Sequence, residues 1–383
     1  MIKLAHAWSH DLGIPASLPF CRPLRDRGWE ITFVCPPGRH VPLAAENGMR
    51  FLPLALRRRF HPPSDVAGAL QIARYLRRER WDILHTHNNK VGHVARVLAY
   101  AARVPIVVHT LHGLSFTRDD PWLRRAGFEL LERIASLRVD AVLAQGEEDR
   151  DTLIASGAVE PGRAVWIGNG IDLSRFDPEA YSDADRRAAR AQLGLQPEEI
   201  LFLSAGRLVR AKGFLELFAA AAAARAADPR IRLAVAGEPD FGKADSLDAS
   251  VLDRARRDGV LLVGHCSDMP RLYAASDVVV LASWREGMPR VLMEGAAMGK
   301  PLLATDARGC REVVRPPRNG LLVPVRAPLA LAAGMRELAA DAARRACWGR
   351  ENALEARERY DIGAVATRIV AVYDELLRRK GLC

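Results

Sequence analysis

The stretch Trp284 to Pro301 (WREGMPRVLMEGAAMGKP) sets two carboxylates, Glu286 and Glu294, around the segment Gly287-Met288-Pro289-Arg290. Ahead of it, Asp277 to Ala282 (DVVVLA) is a continuous β-branched run of the kind that forms a buried parallel strand. Pro289 suits the first turn of a helix, and Gly299 followed by Pro301 stops one. The pattern is therefore strand, short loop, helix, with Glu286 at the strand's carboxyl end and Glu294 about a turn into the helix. Open α/β sheets bind ligands in that crevice, and N–H groups around Gly287 to Arg290 at a helix N-terminus attract anions. A phosphorylated ligand flanked by two carboxylates is the implied chemistry. Glu286 alone is equally well explained as an acid complementing the helix dipole; the pair, with its glycine and proline, favours the ligand.

A second set of groups stands in Ser204 to Gly213 (SAGRLVRAKG). A strand ends at Ala205, Gly206 turns the chain, and two cations, Arg207 and Lys212, follow before a helix. Such a loop can present both cations to one diphosphate, although cationic loops are also often merely solvated. The third set is imidazole. His112, in Thr110-Leu111-His112-Gly113, follows the strand Pro105 to Thr110 and sits at the carboxyl edge of a sheet. His85 and His87 alternate on another strand and so point the same way. With His109 or His112 they permit a metal site geometrically, but no carboxylate or cysteine nearby has ligand spacing, and no metal is expected.

These groups need a scaffold of alternating strands and helices. Lys3 to Trp8, Glu30 to Cys35, Asp82 to His87, Pro105 to Thr110 and Asp140 to Ala144 read as short buried strands. Amphipathic stretches such as Pro15 to Arg27, Asp65 to Arg80 and Val91 to Ala102 separate them. A second series begins near Ile200 and runs through Leu201 to Ala205, Arg232 to Ala236, Val260 to Val263, Val278 to Ala282 and Pro301 to Ala304. This rhythm predicts an α/β protein with two Rossmann-like domains and a cleft between them. The boundary falls at Gly168-Asn169-Gly170-Ile171-Asp172, whose lone G-x-G is too weak for a dinucleotide fingerprint. The expected domains are residues 1–170 and 171–362, with a last amphipathic helix from Gly363 to Lys380.

Composition narrows the class. At 383 residues the chain exceeds one comfortable core, and no apolar run is long enough to cross a bilayer. Six cysteines lack C-x-x-C spacing, which fits a reducing cytosol rather than a disulfide framework. The formal charge is +10. Residues 1–165 hold 23 Lys+Arg against 17 Asp+Glu, and the remainder 33 against 29, so the excess is spread over the chain. Without an aromatic-interleaved basic stripe, nucleic acid is not an expected partner. One local cluster, Arg57, Arg58, Arg59, Arg74, Arg77, Arg78 and Arg80, is either a solvated face or a contact with anionic lipid.

Glu286 and Glu294 within E-G-M-P-x-x-L-x-E-G-x-A-x-G-x-P resemble the signature of family 4 retaining glycosyltransferases. The resemblance covers nearly the whole chain and implies a GT-B fold, with a last helix that crosses back to the first domain. It gives Glu286 the donor sugar and Glu294 the ribose hydroxyls of a nucleotide sugar, most readily a UDP-sugar. Arg207 and Lys212 match G-R-[LF]-x-x-x-K-G, the diphosphate loop, and His112 matches T-x-H-G, which contacts the donor sugar beside the reacting carbon. Gly264-His265-Cys266-Ser267 matches the segment that receives the base, and Gly287, Met288, Pro289 and Arg290 the loop before the donor helix. Gly13 stands where many members carry a double glycine facing the diphosphate, so backbone approach there is reduced.

His85 to His87 and Thr110 to Phe116 are similar to a subgroup that assembles capsule, O-antigen or protein-linked glycans. The resemblance thus implies a metal-independent, cofactor-free transfer from a nucleotide sugar to a hydroxyl, with a polyprenyl-diphosphate-linked acceptor at the inner membrane face. A soluble acceptor, or a nucleotide-sugar epimerase on the same fold, is the alternative. Retention in the family is explained by same-face attack with the departing phosphate taking the acceptor proton. A glycosidase-like pairing of Glu286 with Glu294 is disfavoured by the ribose role.

Overall fold

The computed structural model describes residues 1–56, 61–116, 120–240 and 245–382. Arg57, Arg58 and Arg59 of the basic cluster lie outside the described residues. The chain divides into two compact units, Met1–Asn169 with Ile362–Cys383, and Gly170–Asp361.

Among the described residues, the first unit holds seven strands: β1 (Lys3–Ala7), β2 (Glu30–Cys35), β3 (Arg50–Pro53), β4 (Ile83–His87), β5 (Ile106–Leu111), β6 (Ala141–Ala144) and β7 (Ala164–Trp166). All pair in parallel in the order β3-β2-β1-β4-β5-β6-β7. Strands buried on both faces explain the unbroken apolar runs. On one face Leu4, Phe33, Ile83 and Val108 join a core with the helix Gly13–Asp26 and the C-terminal helix Ile362–Lys380, which supplies Val365, Ile369, Tyr373 and Leu376. On the other, Ala5, Val34, Leu84 and Val107 pack with the helices Pro62–Glu79 and Asn89–Ala101. Each such buried Leu, Ile or Val contributes about 1.5–3 kcal/mol.

The second unit holds β8 (Ile200–Ala205), β9 (Ile231–Ala236), β10 (Leu261–Gly264), β11 (Val278–Leu281), β12 (Leu302–Thr305) and β13 (Gly320–Val323). They are parallel, in the order β10-β9-β8-β11-β12-β13. Helix Phe214–Ala227 covers one face beside Val278 and Val280; helix Arg290–Ala297 covers the other beside Val279 and Leu281.

Both orders reverse direction once, between β1 and β4 in the first unit and between β8 and β11 in the second. Crevices outside the carboxyl ends of strands form at such switch points. Among the described residues, no helix is long and apolar enough to cross a membrane.

Candidate active site

At the second unit's switch point, the loop after β8 meets the loop after β11. Gly213 makes that meeting possible. It lies in the left-handed region at φ +68°, and a Cβ there would come to 1.9 Å from the carbonyl oxygen of Ala282. Only glycine fits both demands. The Trp284 N–H donates to the Ala211 carbonyl (3.0 Å), so the two loops are tied by backbone as well. This close approach sets Lys212 Nζ 2.5 Å from Glu286 Oε1, which also accepts from the Ser283 hydroxyl at 2.6 Å. Gly309, at φ +81°, leaves room for the carbonyls of Glu286 and Gly287. The Glu286 N–H is spent on the Arg308 carbonyl.

Arg207 lies on the same edge but does not join that pair. Its Nη1 donates to Asp240 Oδ2 at 2.8 Å, and its side chain is well exposed. Gly206 and Gly237 let the loops after β8 and β9 abut: a Cβ on Gly237 would sit 1.9 Å from the Gly206 carbonyl oxygen. The Gly237 N–H in turn donates to the Gly264 carbonyl, beside half-buried Cys266 and exposed His265. Gly206, Gly264, His265 and Cys266 thus line one edge made of consecutive loops.

Glu294 forms a separate constellation. Tyr273 donates its hydroxyl to Glu294 Oε2 at 3.0 Å, and Arg290 reaches Oε1 at 3.4 Å. Burial raises the Glu294 carboxyl above the usual range, against the pull of Arg290 and Tyr273. The helix starts at Arg290, with Pro289 as its cap at ψ 113° rather than inside its first turn. Arg290 is therefore the first helical residue, one turn below Glu294, and the two face each other. Met288 is buried in the core under this turn.

In the first unit the switch point is lined by rings. His6, His85 and His87 are buried on one face of β1 and β4, and their ligand atoms lie within 4.8 Å of one another. His109 is on the other face, where its Nδ1 meets Thr86. His85 is engaged at both nitrogens, by Tyr373 at Nδ1 (2.5 Å) and Thr110 at Nε2 (2.7 Å). His87 is engaged by His6 at Nε2 (3.0 Å) and by His112 at Nδ1 (3.2 Å). Trp8 stacks on His87 with ring centroids 3.8 Å apart. Burial holds His6 down to about 3 and His85 and His87 well below the ordinary imidazole value, so all three are neutral at pH 7. His112 is partly buried, and burial holds it down to about 4, with Gln145 acting upward and His10 downward.

Gly13 has a packing explanation: a Cβ there would come to 2.1 Å from the Trp8 indole, and its N–H donates to the His10 carbonyl. Of the sequence-derived residues, the structure joins Lys212 to Glu286 and Arg290 to Glu294, and leaves Arg207 with Asp240. Ser283, Tyr273, Gly309, His6, Trp8 and Gln145 were missed as site residues. Tyr273 and His6 had a signal, a polar ring among buried apolar neighbours, but their partners come from other elements.

Residues 16–170 match the glycosyl transferase 4-like domain, and residues 185–354 match glycosyl transferases group 1. The chain is 30% identical over 332 residues to EpsD of Bacillus subtilis, itself assigned only provisionally as a glycosyltransferase, covering 84% of this chain and 83% of that one. It is 28% identical to the UDP-Gal:alpha-D-GlcNAc-diphosphoundecaprenol alpha-1,3-galactosyltransferase of Escherichia coli, covering 84% of each. Its fold is similar to Anabaena HepE, solved with UDP and glucose, at a TM-score of 0.80 and 20% identity over 98% of this chain and 100% of that one. Two matched family domains spanning most of the chain, on two parallel sheets with switch-point sites, place this protein in the group 1, family 4 glycosyltransferases of GT-B fold.

Proposed function

We propose that this glycosyltransferase moves a sugar, with retention and without a metal, from a UDP-sugar to a hydroxyl of a polyprenyl-diphosphate-linked glycan. The observation that carries the donor half is the Lys212–Glu286 pair at the β8/β11 switch point, with Arg207 on the same edge. As the anomeric C–O bond breaks, negative charge collects on the departing phosphate. Cations already fixed at a sheet edge stabilise that charge without reorganising. Because the charge grows only in the transition state, their effect falls on kcat more than on binding. Glu294, backed by Tyr273 and Arg290, offers acceptor oxygens suited to ribose hydroxyls. UDP in the Anabaena relative supports the nucleotide, and the name of the E. coli relative supports the lipid-linked acceptor.

Action at a membrane surface is supported by the first unit. Arg74, Arg77, Arg78 and Arg80 are exposed at the end of helix Pro62–Glu79. Helix Trp122–Ser136 buries Glu132, Ala135 and Ser136, while Leu123, Leu130, Ile134 and then Leu137 recur at helical spacing on its exposed side. Arg124, Arg133 and Arg138 flank that stripe. An exposed apolar stripe between arginines fits an anionic lipid surface. A donor screen read by UDP release, repeated with EDTA, tests the enzyme. Release that needs an added metal, or a product of inverted anomeric configuration, would overturn this reading.

A further inference from the structure

One polar residue from each of five neighbouring strands, or the loop just beyond it, forms a line across the first sheet: His6 (β1), His87 (β4), His112 (after β5), Gln145 (after β6) and Asn169 (after β7). The links are His6 Nδ1 to His87 Nε2 at 3.0 Å, His87 Nδ1 to His112 Nε2 at 3.2 Å, a hydrogen bond between His112 and Gln145, and Gln145 Nε2 to Asn169 Oδ1 at 3.2 Å.

Proton accounting gives this line one direction. Gln145 donates one amide N–H to Asn169, and it acts on His112 in the direction that favours the ring's proton, as an accepting oxygen does. A neutral imidazole carries a single N–H. His112 therefore holds its proton at Nδ1 and is bare at Nε2, where it accepts from His87 Nδ1–H. His87 is then bare at Nε2 and accepts from His6 Nδ1–H. The line ends at His6 Nε2, buried among Phe20 and Phe33 with no partner among the described residues. Reversing every link would leave an orphan N–H there, and buried orphan donors are rarer than orphan acceptors.

We propose that His6 and His87 are positioning residues that hold His112 as a neutral ring with Nε2 already occupied, while Gln145 fixes its proton at Nδ1, so that His112 takes no proton during transfer. This rests on His112 belonging to the donor site. In the step itself the bond from the anomeric carbon to the phosphate oxygen breaks and the bond to the acceptor oxygen forms. The acceptor proton passes to the departing UDP oxygen, and His112 neither gains nor loses one. A neutral ring also adds no repulsion beside an anomeric carbon that becomes positive as its bond to phosphate opens.

The groups facing these rings are known. His10 and Trp8 lie beside His112, and His85, held by Tyr373 and Thr110, lies beside His6 and His87. On the sheet's other face His109 is surrounded by Arg96, Glu132 and His93.

The test combines ¹⁵N-histidine NMR of the parent protein with His87→Phe, His87→Asn and Gln145→Leu. At pH 7 the parent should show His6, His87 and His112 neutral, each with its proton on Nδ1. His87→Phe keeps the stack on Trp8 but donates nothing. The acid limb of kcat/KM should rise from near the about-4 value of His112 by about one pH unit. Its kcat should fall by up to roughly 100-fold as the ring loses its fixed placement, with KM for the donor nearly unchanged. His87→Asn, which offers an amide N–H where Nδ1 was, should restore most of both. Gln145→Leu, near the surface, should mix the His112 tautomers and covers the case in which His87→Phe does not fold.

A His112 proton on Nε2 in the parent, an unmoved acid limb in His87→Phe, or no rescue by asparagine would each overturn the proposal. So would one zinc per chain in the purified protein, since His6, His85 and His87 would then be ligands. Ordered tautomers in a parent that consumes no nucleotide sugar would overturn the donor-site reading instead and leave the ordered line standing.

Discussion

At the β8/β11 crevice the polar groups are charged, and their pairs are ones a ligand can replace. Lys212 meets Glu286, Arg207 meets Asp240 and Arg290 meets Glu294, with most of these cations partly open to solvent. At the β1/β4 crevice the groups are neutral imidazoles hydrogen-bonded to one another, with the buried Trp8 indole stacked on His87. The topology is the same, a parallel sheet that reverses once, yet the electrostatics are opposite. A diphosphate leaving group needs charge that is already in place. An anomeric centre gaining positive character needs neighbours that bring none. On the proposed function, the same sheet design would answer these two demands with different strand-end residues.

Substitutions at each crevice should break this contrast in graded ways. The largest effect is expected from Lys212→Ala, which should lower kcat by roughly 100-fold or more, as for other losses of a transition-state charge partner. Arg207→Ala should act in the same direction. Steady-state rates of UDP release measure both, and near-parental kcat in a folded Lys212→Ala protein would remove the charge argument.

Gly213→Ala comes next. Alanine would carry the left-handed penalty and a Cβ against the Ala282 carbonyl, a loss of about 1–3 kcal/mol in urea titrations. It should also uncouple Lys212 from Glu286 and reduce turnover in the protein that remains folded.

Glu294→Gln sharpens the comparison by testing a charge that binds rather than catalyses. UDP affinity should drop by about tenfold, the scale of one lost hydrogen bond to a charged group. Burial raises the parent carboxyl, so it takes up a proton at higher pH than an ordinary glutamate. Parental UDP affinity should accordingly decline as pH falls through that raised value, while the glutamine variant stays flat. Calorimetry across pH decides it.

The smallest effect on chemistry should come from Leu130→Glu with Ile134→Glu. Sedimentation with anionic vesicles should fall, more so as salt rises, while turnover of the bound UDP-sugar stays within twofold. Unchanged sedimentation would return the stripe on helix Trp122–Ser136 to an ordinary exposed face.

Much of this was readable beforehand because it is local. Runs such as EITFVC are fixed by pattern and punctuation: the strand Glu30–Cys35 has the ends expected, and β1 and β5 differ from expectation by one residue. Short β3 and β13 escaped notice because neither is a fully buried run: β3 is exposed at both ends, and the middle of β13 is only half-buried. Lys212 and Glu286 were legible as charged residues at strand ends, whereas their pairing needed the order in which β8 and β11 lie side by side. His6 illustrates the limit. Its meaning depends on the register His6↔His85 and on rings from two other strands, which no window along the chain contains. Tyr273 is similar, since its hydroxyl acts only through a helix 18 residues further on.

The C-terminal helix Ile362–Lys380 also has a consequence in time. It completes the first unit's core, and its Tyr373 closes the hydrogen bond at His85. During translation the second unit, ending at Asp361, has all its strands outside the ribosome before that helix emerges. The usual N-terminal-first order is thereby inverted for these two units: the histidine crevice is finished after the charged one. A nascent chain halted some twenty residues early would carry a complete charged crevice and an unsealed neutral one.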